Sequence, residues 1–154
     1  MIGGLAVGFH SEPRGTQHVD LLVVGDPEAL AGALTRSGLF RRVRLHAVEH
    51  RDTGIEVEIL THDFVQQPES LAIAAFEDSE WIEVTDFKIP VVRPKYLIAL
   101  KLRRALGRGM KATQDRADIL RLLKHHGPQD LSGLTLDDEQ LALYEQLKLD
   151  AEVE

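Results

Sequence analysis

The chain has 154 residues, 44% of them hydrophobic and 28% charged, the balance of a soluble globular protein long enough to bury one core without staples. Zero cysteines exclude a disulfide framework, a thiolate metal site and a cysteine nucleophile, and a net charge of −7 argues against sequence-independent binding to duplex nucleic acid. No apolar run approaches the roughly 18 residues of a membrane span, and the start lacks the charged and apolar regions of a signal peptide, so a cytoplasmic protein is expected.

In chain order, Gly3-Gly4 come first. A glycine pair lets the backbone approach a ligand and turn its amides toward phosphate oxygens, although plain turns use the same residues. Gln17 to Val24 reads as a strand whose run Leu21-Leu22-Val23-Val24 suggests burial on both faces. Asp26-Pro27 supplies an N-cap and a first helical proline for a helix ending at Gly38. Residues 41–48 alternate, Val43, Leu45 and Ala47 against Arg42, Arg44 and His46, as a half-buried strand does. "RDTG" makes a turn, and in "IEVEIL" Ile55, Val57 and Ile59 share one face while Glu56 and Glu58 share the other. Residues 41–48 and 55–60 are therefore expected to pair as an antiparallel hairpin.

"QQPESLAIAAF" is a short helix, followed by two short strands over 81–87 and 89–92. "RPKYLIALKLRRALGRG" is a helix opened by Pro94, with Ile98, Leu102, Ala105 and Leu106 facing the core. "TQDRADILRLLKHHG" follows with Ile119, Leu122 and Leu123 inward, and His125-His126 reads as a helix-end cap rather than a ligand pair. "TLDDEQLALYEQLKL" is the last helix, with Asp137, Asp138 and Glu139 complementing the dipole near its first turn. The expected organisation is residues 1–92 as a mixed-sheet core and 93–154 as a helical segment packed on the same domain.

Beside the glycine pair, chemistry concentrates in three places. His18 and Asp20 are two apart on a strand and project from one surface. Two carboxylates there would hold divalent cations; a histidine removes one negative charge and adds a nitrogen better suited to Mn, Zn or Fe than to Mg. The same pair also suits a polar strand edge. Glu56 and Glu58 offer a third ligand or a general base, or else a solvated strand face. Lys101, Arg104 and Arg108 follow i, i+3, i+7, and six basic residues fall between Lys95 and Lys111 without an acid, a strip that suits a triphosphate or an ordinary charged helix face. The remaining histidines show no paired metal spacing, and no Ser-His-Asp arrangement, P-loop or dinucleotide fingerprint is present.

The order of these features resembles the nucleotidyltransferases of the DNA polymerase β superfamily, in particular the small prokaryotic branch related to abortive-infection and toxin–antitoxin proteins. The resemblance runs from Gly3-Gly4 through "RGTQHVD", which sets Arg14, Thr16, His18 and Asp20 on an Asp-x-Asp-like motif, to "VEIL", which selects Glu58 over Glu56. It continues through "RPKYLIALKL" and "QDRADILRLL", which place Lys101, Asp115 and Asp118. It implies an α+β nucleotidyltransferase fold, a mixed β-sheet flanked by helices with a C-terminal helical part. It also implies metal-dependent transfer of a nucleoside monophosphate from a nucleoside triphosphate to a hydroxyl on a protein, RNA or small molecule.

The site residues so implied are His18, Asp20 and Glu58 as catalytic metal ligands for Mg or Mn. Gly3, Gly4, Arg14, Thr16, Lys101 and Arg104 are the implied nucleotide contacts. His18 in place of the first aspartate opens an alternative: a degraded homologue that binds a nucleotide, a protein partner or a second copy of itself, as in a toxin–antitoxin pair. The family's usual helix ahead of the glycine pair has no counterpart in Met1-Ile2.

Overall fold

A computed structural model of the chain describes residues 1–12 and 15–153. Its elements in order are α1 (Gly3–His10), β1 (His18–Leu22), α2 (Pro27–Arg36), β2 (Phe40–Arg44), β3 (Ala47–His50), β4 (Glu56–Leu60), α3 (Glu69–Glu77), β5 (Glu80–Val84), β6 (Phe87–Val91), α4 (Pro94–Ala105), α5 (Met110–His126) and α6 (Asp138–Val153). Local chemistry sets several of these boundaries. Asp26 accepts a hydrogen bond from the Glu28 amide at 2.9 Å and Pro27 opens α2 behind it. Pro94 opens α4 in the same way. Gly127, at φ +73°, ends α5 by a 2.7 Å bond from its amide to the Leu123 carbonyl.

Four strands form one mixed sheet in the order β1-β4-β3-β2, while β5 and β6 pair separately. β1 and β4 are parallel, with His18 opposite Glu56, Asp20 opposite Glu58 and Leu22 opposite Leu60. β4 is antiparallel to β3, and β3 to β2. A mixed sheet flanked by helices, with a C-terminal helical part, is the architecture expected above.

Three expectations are corrected. The stretch 41–48 is not one strand: the chain reverses at Leu45-His46, so the hairpin is β2–β3 and β3 then pairs with β4. Alternation survives the reversal because a two-residue turn keeps the period, and no glycine or proline marks it. The apolar run of β1 is not buried on both faces either; β1 lies at the sheet's edge and Val24 is exposed. Finally, α4 ends at Ala105, so Arg108 lies beyond the helix and shares no face with Lys101 and Arg104.

The main core joins both halves of the chain. Ala6 and Val7 of α1, Leu60 of β4, Leu71 and Ala75 of α3 and Val91 of β6 pack with Leu97, Ile98 and Leu102 of α4, Ile119 and Leu122 of α5, and Tyr144 and Leu147 of α6. A smaller cluster of Ala31, Val48 and Ile59 holds α2 on the opposite side of the sheet. Side chains alternate between these two faces along β1 and β4. On the main-core face, His18, Asp20 and Leu22 run beside Glu56, Glu58 and Leu60, so each strand passes from polar to apolar in step with its neighbour.

Candidate metal and nucleotide site

At the polar end of that face, His18, Asp20 and Glu58 each offer one ligand atom, all within 4.8 Å of one another. His18 Nε2 lies 3.3 Å from Asp20 Oδ1 and 4.0 Å from Glu58 Oε2. Asp20 is 8% exposed; His18 and Glu58 are half-buried, so the cluster opens to solvent on one side. Burial, the neighbouring charge of Glu58 and a hydrogen bond to it push the Asp20 carboxyl up to about 6, with His18 and Lys101 pulling the other way. One nitrogen and two carboxylates converging in a small space, with one carboxyl held up by burial and by its twin, is a donor set that a divalent cation fits and relieves.

Gly3 closes the site from above. Its φ is +74°, and a Cβ on it would lie 1.7 Å from Asp20 Oδ2, so both conformation and space require glycine. The Ile2 amide donates to the Asp20 carbonyl at 2.9 Å, and the Val92 amide donates to the Met1 carbonyl at 3.1 Å, which ties this segment between β1 and β6. The glycine pair is therefore the first turn of α1 rather than a free loop. Among the described residues no side chain caps that helix, which leaves its leading amides pointing beyond its N-terminus.

Other expected contacts are placed less directly. Arg14 lies outside the described residues. Thr16 donates through Oγ1 to the His18 carbonyl at 3.0 Å, where it steadies the start of β1. Lys101 is buried and committed: its Nζ donates to Asp115 Oδ1 at 2.7 Å and Asp118 Oδ2 at 2.8 Å. Arg104 donates to both oxygens of Asp115, with Nη2 at 2.9 Å from Oδ1, while most of its side chain stays exposed. Burial raises the Asp115 carboxyl, but Arg104 and Lys101 overcome it and hold the group below its ordinary value. Of the implied phosphate cations, Arg104 keeps most of its side chain exposed and feels the charge of Asp20, while Lys101 is paired across the α4–α5 contact.

One site neighbour, Arg44, is not apparent from the sequence. It donates to Glu56 and, at 3.2 Å, to Glu58 Oε1. The residue type is visible, but the β2–β3 reversal that brings Arg44 to β4 is not.

The family model described as "Nucleotidyl transferase AbiEii toxin, Type IV TA system" matches residues 20–148. It begins at Asp20 and takes in Glu58, Lys101, Arg104, Asp115 and Asp118, with the glycine pair and His18 ahead of it. The crystal structure of an antigenic nucleotidyltransferase-like protein from Paracoccidioides brasiliensis superposes with a TM-score of 0.71 at 19% identity, covering 97% of this chain and 78% of that one. That likeness is one of fold. No curated protein matches the chain.

Proposed function

This chain belongs to the AbiEii nucleotidyl transferase toxin family of type IV toxin–antitoxin systems, and from that premise we propose that it transfers a nucleoside monophosphate from a nucleoside triphosphate to an acceptor hydroxyl. The observation that carries this reading is the convergence of His18, Asp20 and Glu58 under the Gly3 backbone. His18, Asp20 and Glu58 would hold a divalent cation, Mn fitting the imidazole better than Mg. When bound, that cation neutralises phosphate charge and polarises the phosphoryl oxygens. The first-turn amides of α1 at Gly3 and Gly4 receive the triphosphate, because a helix N-terminus presents unsatisfied donors and positive potential to an anion. Arg104 adds a charged donor from α4, held in place by Asp115. Such a protein implies a nucleoside triphosphate as substrate and an antitoxin as its counterpart in the pair.

One observation favours a second reading, a homologue that binds nucleotide or partner protein without turnover: the first carboxylate of the metal strand is His18. Incubation with labelled triphosphates, Mg or Mn and a lysate as acceptor source separates the two. The transferase reading expects metal-dependent label transfer, reduced at least about a hundredfold in Asp20→Ala. Nucleotide binding with no transfer in the parent, and transfer gained on His18→Asp, would establish the second reading instead.

A further inference from the structure

Glu58 faces two ways. Its Oε2 looks toward His18 Nε2 at 4.0 Å, on the Asp20 side of the cluster. Its Oε1 accepts from Arg44 Nη2 at 3.2 Å, and the same nitrogen is hydrogen-bonded to Glu56 Oε1. One carboxylate thus spans two positions: one among His18, Asp20 and Glu58, the other between Glu56 and Glu58, where a guanidinium nitrogen sits. In a two-metal site two cations lie about 3.5–4 Å apart and a shared carboxylate commonly bridges them.

The strand register explains the second position. His18 pairs with Glu56 and Asp20 with Glu58 across β1 and β4, and residues two apart on a strand share a face. The four side chains therefore form a square with three carboxylates. An Asp-x-Asp strand with one further carboxylate opposite would contain the same number. Here the third carboxylate stands on β4 facing His18, and Arg44 reaches it from the end of β2.

Resting on the transferase reading above, we propose that Arg44 is the second cation of this site. One divalent metal belongs to His18, Asp20 and Glu58; the Arg44 guanidinium, seated on Glu56 and Glu58, supplies the charge that a second metal would otherwise bring. A guanidinium remains charged at any working pH and presents several donors in a rigid plane. With Nη2 on the carboxylates and the side chain 59% exposed, its other N–H groups are open to a phosphate or acceptor oxygen. One divalent metal and one guanidinium together neutralise the three carboxylates, whereas a second divalent metal would leave the cluster positive.

Counting Mn2+ sites tests this without recourse to activity. The chain is titrated with Mn2+ into the millimolar range while the free ion is followed by electron paramagnetic resonance. The parent is expected to bind one ion. Arg44→Ala, which vacates the place between Glu56 and Glu58, is expected to bind two, and Arg44→Ala/Glu56→Gln one again. One site in both parent and Arg44→Ala overturns the proposal, as do two sites in the parent or in the double variant. Asp20→Asn reports separately on the underlying reading, because it should lose the first site whatever Arg44 does. A parent that binds no Mn2+ at all overturns both. Arg44 is exposed and Glu56 half-buried, and unchanged circular dichroism confirms that each variant is folded.

Discussion

At the scale of single residues, the electrostatics of Asp20 couple the site to stability. Its carboxyl is raised from 3.8 to about 6, first by burial and then by Glu58, so the folded chain holds this proton to higher pH than the unfolded chain does. Below about pH 4 both states are protonated and the group contributes nothing. Between pH 4 and 6 the folded state binds more protons, and stability falls as pH rises. Above pH 6 the full cost remains, on the order of 2–3 kcal/mol. Asp20→Asn should therefore be more stable than the parent at pH 7.5, with the difference vanishing toward pH 4 in urea unfolding. Mn2+ should stabilise the parent at pH 7.5 and leave the variant unmoved. A pH-independent difference would remove Asp20 as its cause. The alternation of polar and apolar residues along β1 and β4 makes His18, Asp20 and Glu58 legible in the sequence as candidates for one surface. What spacing does not convey is contact: that Gly3 presses on Asp20, or that Glu56 faces His18, depends on the parallel register.

Among the elements, α4 and α5 are joined by buried charges as well as by the apolar side chains of the main core. Asp115 and Asp118 are 1% and 0% exposed, Lys101 lies between them, and Gln114 Nε2 adds a 3.1 Å bond to Asp118 Oδ1. Buried ions are costly unless paired, and removing one partner of such a set typically loses about 3–5 kcal/mol. Lys101→Met keeps the stem and removes the charge that both carboxylates share, while Arg104 stays on Asp115 and Gln114 on Asp118. Its unfolding free energy should fall by that amount, read as a lower denaturant midpoint with the slope unchanged. If Lys101 worked chiefly as a phosphate contact, the variant would keep its midpoint and lose nucleotide affinity. The sequence puts Lys101 and Arg104 on one helical face, and helical spacing alone offers that face to solvent or to ligand. That α5 brings two aspartates to meet Lys101 and clasp the helices there is a tertiary fact. The β2–β3 reversal is hidden for the opposite reason: Leu45-His46 carries none of the usual turn residues, so nothing interrupts the apparent strand.

For the whole molecule, the question is whether residues 1–92 and 93–154 act as one folding unit. The packing speaks for one. The main core draws on α1, β4, α3 and β6 from the first part and on α4, α5 and α6 from the second, and Ile82 and Ile89 fasten the β5–β6 pair to it. The helical part thus supplies the cover for the face that carries the site, and neither part keeps a core of that size alone. The single tryptophan, Trp81, is 64% exposed on β5, so its fluorescence follows that hairpin poorly and the core hardly at all. Calorimetry is the suitable probe. A single transition is expected, with equal calorimetric and van't Hoff enthalpies and a total of about 100 kcal/mol near 60 °C for a chain of this length. Two resolved transitions, or a van't Hoff value near half the calorimetric one, would mean that the helical segment unfolds separately. In that case Arg104 and the Lys101 clasp would not be held rigidly relative to Asp20, and the phosphate role given to α4 would fall with the single core.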